Sequence, residues 1–531
     1  MTHYLWFSIL LVGLQPGQAA TVPRAKTQTS SNFQQVETLL LRGQWDEGIA
    51  LLRPVLAQEA HSLQALNLMG IALTGKGDLP AANREYQRAL KTRPTFVPAL
   101  KNLAINELTL GRVDDAENHF RAALKLAPRD PVLHAYLGKI AFTKEQYQAA
   151  AQHLAQSGEL VRDPSVGYEL LESNLRLKKP EQAQAVVAKL NPNPMTPPWR
   201  FRIGLLLAQY ALFQNALPFF ERFDTGSPQF RDAAFNLAIC QLETKQFSKA
   251  LVTLRQLLEQ GPKTAELDTL LAEALEGTHE TQAAIDALRE ATQLAPEDES
   301  GFVSLTALCT KYEAYDVGMK VLASALQSHP NSDRLIFQRG VIYALTGQFP
   351  LAEQDFQMAA RLAPEKNLSY AALGVNYLQA GDPEKAIASL RSRVAQTPDD
   401  ATLQFLLGET LLRSGVSPES PEFAEARKAL EQASRLDPQS ANSRVELGKL
   451  YLKEDRIDDA VRTLEEARTL DSKSTAAYLQ LVMAYRRAGK PDSAMAALAR
   501  LNQLNEDESK RQPNRQRLRI HDADTSQDGA K

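Results

Sequence analysis

Small and bulky apolar residues recur along this chain with a period close to 34 residues. Of the thirteen steps between successive small residues, ten are 34 residues, two are 33 and one is 40. Bulky apolar residues such as Tyr86 follow four positions later, and another small residue, such as Gly70, stands twelve positions earlier. Fixed spacing of this kind indicates an array of similar units. The marking residues are Gly48, Ala82, Ala116, Ala150, Ala183, Ala216, Ala250, Ala284, Gly318, Ala352, Ala386, Ala426, Ala460 and Ala494.

Each unit is predicted to contain two helices. Small residues let two antiparallel helices approach closely, and bulky residues fill the space between adjacent units. A turn residue such as Gly77 ends the first helix, and a proline such as Pro94 marks the end of the second. The pattern therefore predicts an all-α fold. The residues predicted to pack the repeats include Ala82, Ala116, Ala250, Ala284, Ala352, Ala386, Ala460 and Gly374.

The pattern resembles that of the tetratricopeptide repeat family. Residues 373–377 and 381–386, followed by Pro398, match the family pattern closely. About fourteen such units cover residues 29–504. The resemblance implies a right-handed superhelical solenoid of antiparallel helix pairs. It also implies a concave groove, lined by the first helix of each pair, in which a protein or peptide ligand binds.

Departures from the repeat suggest how the array is divided. Four prolines lie within residues 192–198. They predict either a stiff break between units 1–5, at 29–196, and units 6–14, at 197–504, or a longer turn without consequence. The twelfth unit carries six extra residues within 414–426, which we expect to loop out. From residue 505 to 531 the pattern stops, and a disordered polar tail is predicted.

The first residues differ from the rest of the chain. A short apolar run from Tyr4 to Leu14 is followed by the small residues Ala19 and Ala20. This resembles a secretory signal peptide at residues 1–20, with a short leader at 21–28 before the repeats. Because no Lys or Arg precedes the run, an uncleaved anchor or a disordered leader is the alternative. Cleavage predicts a periplasmic or secreted protein that keeps no membrane span.

The resemblance to the tetratricopeptide repeat family implies that the fifth residue of each unit faces the groove. Five phenylalanines occupy this position, together with Val303. Aligned aromatic side chains would bind an apolar stripe of a peptide; the alternative is that they pack against the neighbouring helix. Charge on the predicted groove surface is acidic in the middle of the array, as at Glu273, and basic near its C-terminal end, at Lys449 and Arg486. These charges either orient a partner or belong to solvated helix faces. The phenylalanines are Phe33, Phe201, Phe235, Phe337 and Phe405.

The sequence offers little sign of chemistry. Its net charge of −3 gives no general attraction to nucleic acid. No phosphate-binding glycine loop, nucleophile elbow or paired-histidine zinc motif is present. His119 and His153 occupy the same position in adjacent units, but two histidines alone make a weak metal site. Cys240 and Cys309 are predicted to be buried apolar residues. We therefore expect no catalysis, cofactor or metal, and no nucleic-acid partner.

The function predicted from these observations is a non-catalytic scaffold or adaptor outside the cytoplasm. Exported arrays of similar architecture occur in bacterial envelope assemblies, so an envelope complex is the expected context. One alternative is a regulatory or carrier subunit that recruits a separate enzyme. Another is a cytoplasmic co-chaperone with an uncleaved leader. The co-chaperone alternative is disfavoured, because Lys101 is followed by Ile105 where a carboxylate clamp has asparagine.

Overall fold

The fold was obtained as a computed structural model, which describes residues 25–193 and 195–515 and the side chains of 33–193 and 195–507. Over these residues the chain forms 28 α-helices and no β-strand. The predicted signal peptide at 1–20, residues 21–24 of the predicted leader and residues 516–531 of the predicted tail lie outside the described residues. The predicted all-α class is confirmed, and the number of helices in the described residues is two for each of about fourteen repeats.

The helices are numbered in chain order, so that odd numbers are first helices of a repeat and even numbers are second helices. Those of repeats 1–6 and the first helix of repeat 7 are α1 Ala25–Leu41, α2 Trp45–Gln58, α3 Leu63–Gly75, α4 Leu79–Thr92, α5 Val97–Thr109, α6 Val113–Leu126, α7 Pro131–Thr143, α8 Tyr147–Ala155, α9 Pro164–Arg176, α10 Pro180–Val187, α11 Pro197–Gln209, α12 Phe213–Phe220 and α13 Phe230–Glu243. The remaining helices are α14 Phe247–Glu259, α15 Ala265–Gly277, α16 Thr281–Leu294, α17 Glu299–Lys311, α18 Tyr315–Ser328, α19 Asp333–Leu345, α20 Phe349–Leu362, α21 Leu368–Gln379, α22 Pro383–Gln396, α23 Ala401–Arg413, α24 Pro421–Leu436, α25 Ala441–Lys453, α26 Ile457–Leu470, α27 Thr475–Arg487 and α28 Pro491–Arg515.

The chain divides into two compact units after Thr244. The first contains helices α1–α13, and the second contains α14–α28. The predicted division at the proline-rich segment 192–198 lies inside the first unit and remains a prediction. One hydrophobic cluster includes Met195 from this segment together with Leu171 and Leu190 before it and Ile203 after it.

Short turns set the antiparallel arrangement of each pair. At Gly77 the backbone is left-handed, with φ of +83°, a conformation that glycine adopts without steric cost. Gly70 on α3 and Tyr86 on α4 lie at similar sequence separations from this turn, and they are in contact. The two helices therefore run in opposite directions. Asp78 caps α4 by accepting a hydrogen bond from the backbone N–H of Ala81 at 3.0 Å.

The recurring small residues lie where the helices of a pair cross. Gly374 on α21 packs against Leu390 on α22 so tightly that a β-carbon would lie 2.7 Å from Leu390 Cγ. The alanines at the marking position have no exposed surface, so any larger side chain there would separate the two helices. These fully buried alanines are Ala82, Ala116, Ala250, Ala284, Ala352, Ala386 and Ala460.

Two regions of the structure are irregular at the places where the sequence departs from the repeat pattern. The extra residues of the twelfth repeat form the connection 414–420 and lengthen α24 to 16 residues. At the C-terminus, α28 continues past Leu504 to Arg515, so the segment predicted as a polar tail begins inside this helix. Short second helices are a separate irregularity: α8, α10 and α12 in the fourth, fifth and sixth repeats have nine, eight and eight residues.

Candidate binding face on the first helices

Within each unit, the first helices of successive repeats contact each other. For example, α19 contacts α21, and α21 contacts α23. Their side chains therefore form a shared face. Residues spaced by three or four along a helix lie on the same side of it, so the solvent-facing positions of each first helix form a stripe. The residues in these stripes determine the polarity and charge that the face presents to a partner.

In repeats 10 and 11 this face carries apolar side chains on two adjacent helices. On α19 the stripe is Phe337, Val341 and Leu345, and on α21 it is Leu368, Ala372 and Val375; we call these six residues the apolar patch. Leu368 is 62% exposed, Leu345 51% and Val375 36%. The other three are half-buried and pack on the hydrophobic cluster of Ala352, Phe356 and Leu373 beneath them. The patch thus has a fixed base and exposed apolar side chains.

Four of the predicted groove phenylalanines are half-buried rather than free, and Phe33 is buried in the core, where it does not line a groove. Phe201 makes edge-to-face contacts with Phe220 and Phe223, with ring centroids 6.0 and 6.5 Å apart. Phe337 lies 5.5 Å from the ring of Phe356. The packing alternative therefore accounts for much of the surface of these rings.

The other predicted apolar positions are also placed partly in the core. Phe405 packs against the cluster formed by the last repeats, and Val303 against the one around Leu322. Phe235 is half-buried on α13. Phe201 and Phe235 belong to the first unit, whereas Val303, Phe337 and Phe405 belong to the second. The structure brings Phe337 into the apolar patch and leaves the other five predicted residues, including Phe33 in the core of the first unit, outside it.

Charge on the same face of the second unit changes along the chain. Before the patch, Glu266 and Glu273 are exposed on α15. After it, Lys453 on α25 and Arg486 on α27 are exposed, and neither has a carboxylate partner among the described residues. Lys449, also predicted as a groove cation, instead pairs with Glu446 on its own helix at 2.5 Å.

Reasoning from the fifth position alone missed the most exposed apolar residues. Leu368 occupies the second position of its repeat, Val375 the ninth and Leu345 the thirteenth. Met483 on α27, which is 49% exposed, was also missed, whereas Leu479, equally exposed on the same helix, occupies the fifth position of its repeat. A search of all the solvent-facing positions of the first helices for apolar residues would have found them.

The histidines and thiols belong to packing contacts. His119 is hydrogen-bonded to Glu107 at 2.7 Å, and His153 to His134 with their Nδ1 atoms 3.0 Å apart, so the two histidines that share a repeat position have different partners. Burial raises the pKa of the Cys240 and Cys309 thiols to about 11, which keeps both protonated at neutral pH.

The described residues contain neither a cluster of metal-ligating side chains nor a helix suited to spanning a membrane. No group of three or more His, Cys, Asp and Glu side chains is arranged to hold a metal ion there. None of the helices in that part of the chain combines the length and the apolar character that crossing a membrane requires.

Two family models, both described as a tetratricopeptide repeat, match the chain. One matches residues 207–274, 420–469 and 454–512. The other matches residues 33–95, 101–158 and 371–441. Together the matches cover more than half of the chain and include helices of both units.

Relatives found by sequence are also repeat proteins. Tetratricopeptide repeat protein 21A of Mus musculus is 22% identical over 404 residues, which are 69% of this chain and 30% of the relative. Tetratricopeptide repeat protein 8 of Caenorhabditis elegans is 24% identical over 226 residues, which are 42% of this chain and 43% of the relative. The chain thus spans less than half the length of these relatives.

Among solved structures, yeast Tom70 is similar with 18% identity and a TM-score of 0.43, over 80% of this chain and 96% of that one. The APC/C hetero-tetramer Cut9-Hcn1 is similar with 15% identity and a TM-score of 0.37, over 91% of this chain and 94% of that one.

Proposed function

Since the chain belongs to the tetratricopeptide repeat family, we propose that it is a non-catalytic scaffold that binds a protein segment on the apolar patch. The observation that carries the proposal is the exposure of Leu345, Leu368 and Val375 on two adjacent first helices. Apolar side chains grouped on a surface stabilise the protein most when a partner covers them. The partner is therefore a peptide or helix with an apolar stripe.

The charges on either side of the patch give the partner a direction. Acidic Glu266 and Glu273 lie before it in the chain, and basic Lys453 and Arg486 lie after it. A segment with a basic end and an acidic end is attracted in one orientation and repelled in the other. The scaffold thus selects an amphipathic segment whose basic end lies toward α15 and whose acidic end lies toward α27.

The proposal is tested by affinity capture with two matched variants. One carries L345S, L368S and V375S in the patch. The control carries V252S, L294S and L362S, which replace three exposed apolar residues on second helices of the same unit. Burying the exposed surface of each patch side chain contributes roughly 1 kcal/mol to the free energy of binding. Loss of all three contributions should therefore weaken binding about 100-fold. Equal capture of the same partners by both variants would show that the patch is not the binding site.

Export of the chain, and a place in an envelope complex, are part of the proposal. The support is the apolar run from Tyr4 to Leu14, followed by Ala19 and Ala20. Amino-terminal sequencing of the protein recovered from its cells should begin close to Thr21. A chain recovered with its leader intact from the cytoplasm contradicts this part of the proposal and leaves binding at the patch untouched.

A further inference from the structure

A cavity of about 370 Å³ lies beside the second helices of repeats 4 and 5, away from the first helices' shared face. It occurs where the repeat is irregular. α8 ends at Ala155 and is followed by a 3-10 segment, Gly158–Arg162, while α10 ends at Val187. By comparison, α4 and α6 have 14 residues, while α12 in the sixth repeat is also short, with eight. The cavity lies between α8 and α10, with α9 and the 3-10 segment at its base.

The walls of the cavity are mainly apolar. Val161 from the 3-10 segment and Leu170 from α9 are almost fully buried at its base. Ala151 on α8 and Ala185 on α10 form opposite sides, and their small side chains leave the space between them open. A volume of this size and an apolar lining are typical of sites that take a small molecule.

Asn174 is the polar group at the base. It is one turn from Leu170 on α9, and it is only 3% exposed. Its side-chain amide has no hydrogen-bond partner among the described residues. The amide is not one of the fully enclosed unpaired polar atoms of the described residues, so it keeps surface that faces the cavity. A polar group so placed at the base of an apolar cavity is available to orient a ligand.

Two lysines determine the charge of that ligand. Lys179 and Lys189 flank α10 and both line the cavity, whose lining contains no Asp or Glu. Lys179 donates a hydrogen bond to the amide oxygen of Gln148 at 3.3 Å, and Lys189 has no partner among the described residues. Cations without acidic partners beside an apolar cavity favour an anionic group.

We infer that this cavity binds a small carboxylate with an apolar body. The body would lie against Val161, Leu170 and the alanine walls, while the carboxylate would accept hydrogen bonds from the Asn174 amide and the Lys179 ammonium group. Lys189 adds a second positive charge at the opening. The site is separate from the apolar patch, so the inference does not depend on the proposed function.

The test is a binding titration of the full chain with 4-phenylbutyrate, with the neutral 4-phenylbutyramide as the matched ligand. We expect saturable binding of the acid at one site and at least tenfold weaker binding of the amide. K179M/K189M should weaken binding of the acid at least tenfold, and the control K91M, at an exposed lysine on α4, should not.

Two further variants separate binding from folding. A185F places a ring in the cavity from an exposed position, so it should abolish binding while the unfolding temperature stays the same. N174L removes the amide available to the carboxylate, so binding should fall while the unfolding temperature does not. Failure of the acid to bind, or binding that A185F and K179M/K189M leave unchanged, would overturn the inference. Binding of peptides ending in a free carboxylate, without binding of 4-phenylbutyrate, would overturn it as well.

Discussion

Gly70 on α3 faces the ring of Tyr86 on α4 so closely that a β-carbon on residue 70 would lie 2.3 Å from Tyr86 Cε1. The ring has no exposed surface, and its hydroxyl lies 3.3 Å from Thr74 Oγ1. The tyrosine is thus fixed on all sides, and the absence of a side chain at residue 70 is what lets the two helices meet.

Replacing Gly70 by alanine should therefore destabilise the first unit. The added methyl forces the helices apart at a fully packed contact, at a cost of roughly 1–3 kcal/mol in the free energy of unfolding. The control is G226A, where nothing lies within 4 Å of the added carbon. Denaturant unfolding followed by tryptophan fluorescence measures the effect, because Trp45 and Trp199 both lie in the first unit. A G70A protein as stable as the parent would contradict the packing described.

Glu169 on α9 should make the first unit less stable as the pH rises. Burial raises its pKa to about 7, against the opposing charge of Lys139, whose Nζ lies 3.8 Å from the carboxylate, and Oε2 has no hydrogen-bond partner. Unfolding lowers the pKa to its ordinary value near 4.5. Between these values the unfolded state loses its proton first, so stability falls as pH rises from about 4.5 through 7.

The variant E169Q removes this titration. At pH 8 it should be more stable than the parent by on the order of 1–3 kcal/mol, and the difference should shrink toward pH 5. The exposed Glu181 provides the control substitution E181Q, which should shift stability little at either pH. Parallel stability curves for E169Q and the parent across this pH range would refute the prediction.

His153 should give the opposite pH dependence. Burial lowers its pKa, and the neighbouring charges of His134 and Arg121 lower it further while Glu117 raises it. As the pH falls below the ordinary histidine value, the unfolded state takes up the proton before the folded state does. Stability is therefore lost with falling pH, and H153Q should flatten that loss, measured as unfolding free energy from pH 7 to 5. The exposed His61 is the control, and an H61Q variant that flattens the curve equally would disprove the assignment.

Asp268 on α15 should be a site where a substitution stabilises the second unit. The side chain has no exposed surface, neither oxygen has a hydrogen-bond partner, and Lys263 lies 3.5 Å from Oδ1. Burial raises the pKa of this carboxyl. Leu66 and Leu100 occupy the equivalent fourth position in repeats 2 and 3. D268L should therefore raise the unfolding free energy by about 1–3 kcal/mol, measured by far-UV circular dichroism. A lower unfolding free energy for D268L would show that the carboxylate is needed.

The repeat pattern predicted most of the fold because each contact recurs in many copies. The glycine at residue 77 and the contact between Gly374 and Leu390 follow from spacing alone. Where a repeat lacks the usual residue, the pattern gave no prediction. Glu145 and Ala211 adopt the same left-handed turn without being glycine, with φ of 58° and 56°. There the neighbouring helices impose the turn on residues that do not favour it.

The candidate site was less predictable, because exposure depends on neighbours that lie far away in the chain. Phe201 has a groove position in sequence, yet Phe220 and Phe223 cover much of its ring. Leu368 is exposed although its position suggested nothing. The cavity beside Asn174 lies between two short second helices, and the irregular sequence of the fifth repeat gave no sign of it.

The central claim, that the apolar patch binds a protein segment, is tested most directly by site-specific photo-crosslinking. A photoreactive phenylalanine analogue is placed at Val375 in the patch, or at Val252, which is 68% exposed on a second helix of the same unit. Illumination in the producing cells should yield a discrete crosslinked partner from position 375 and none from position 252. A partner that crosslinks from 252 but not from 375 would contradict the account.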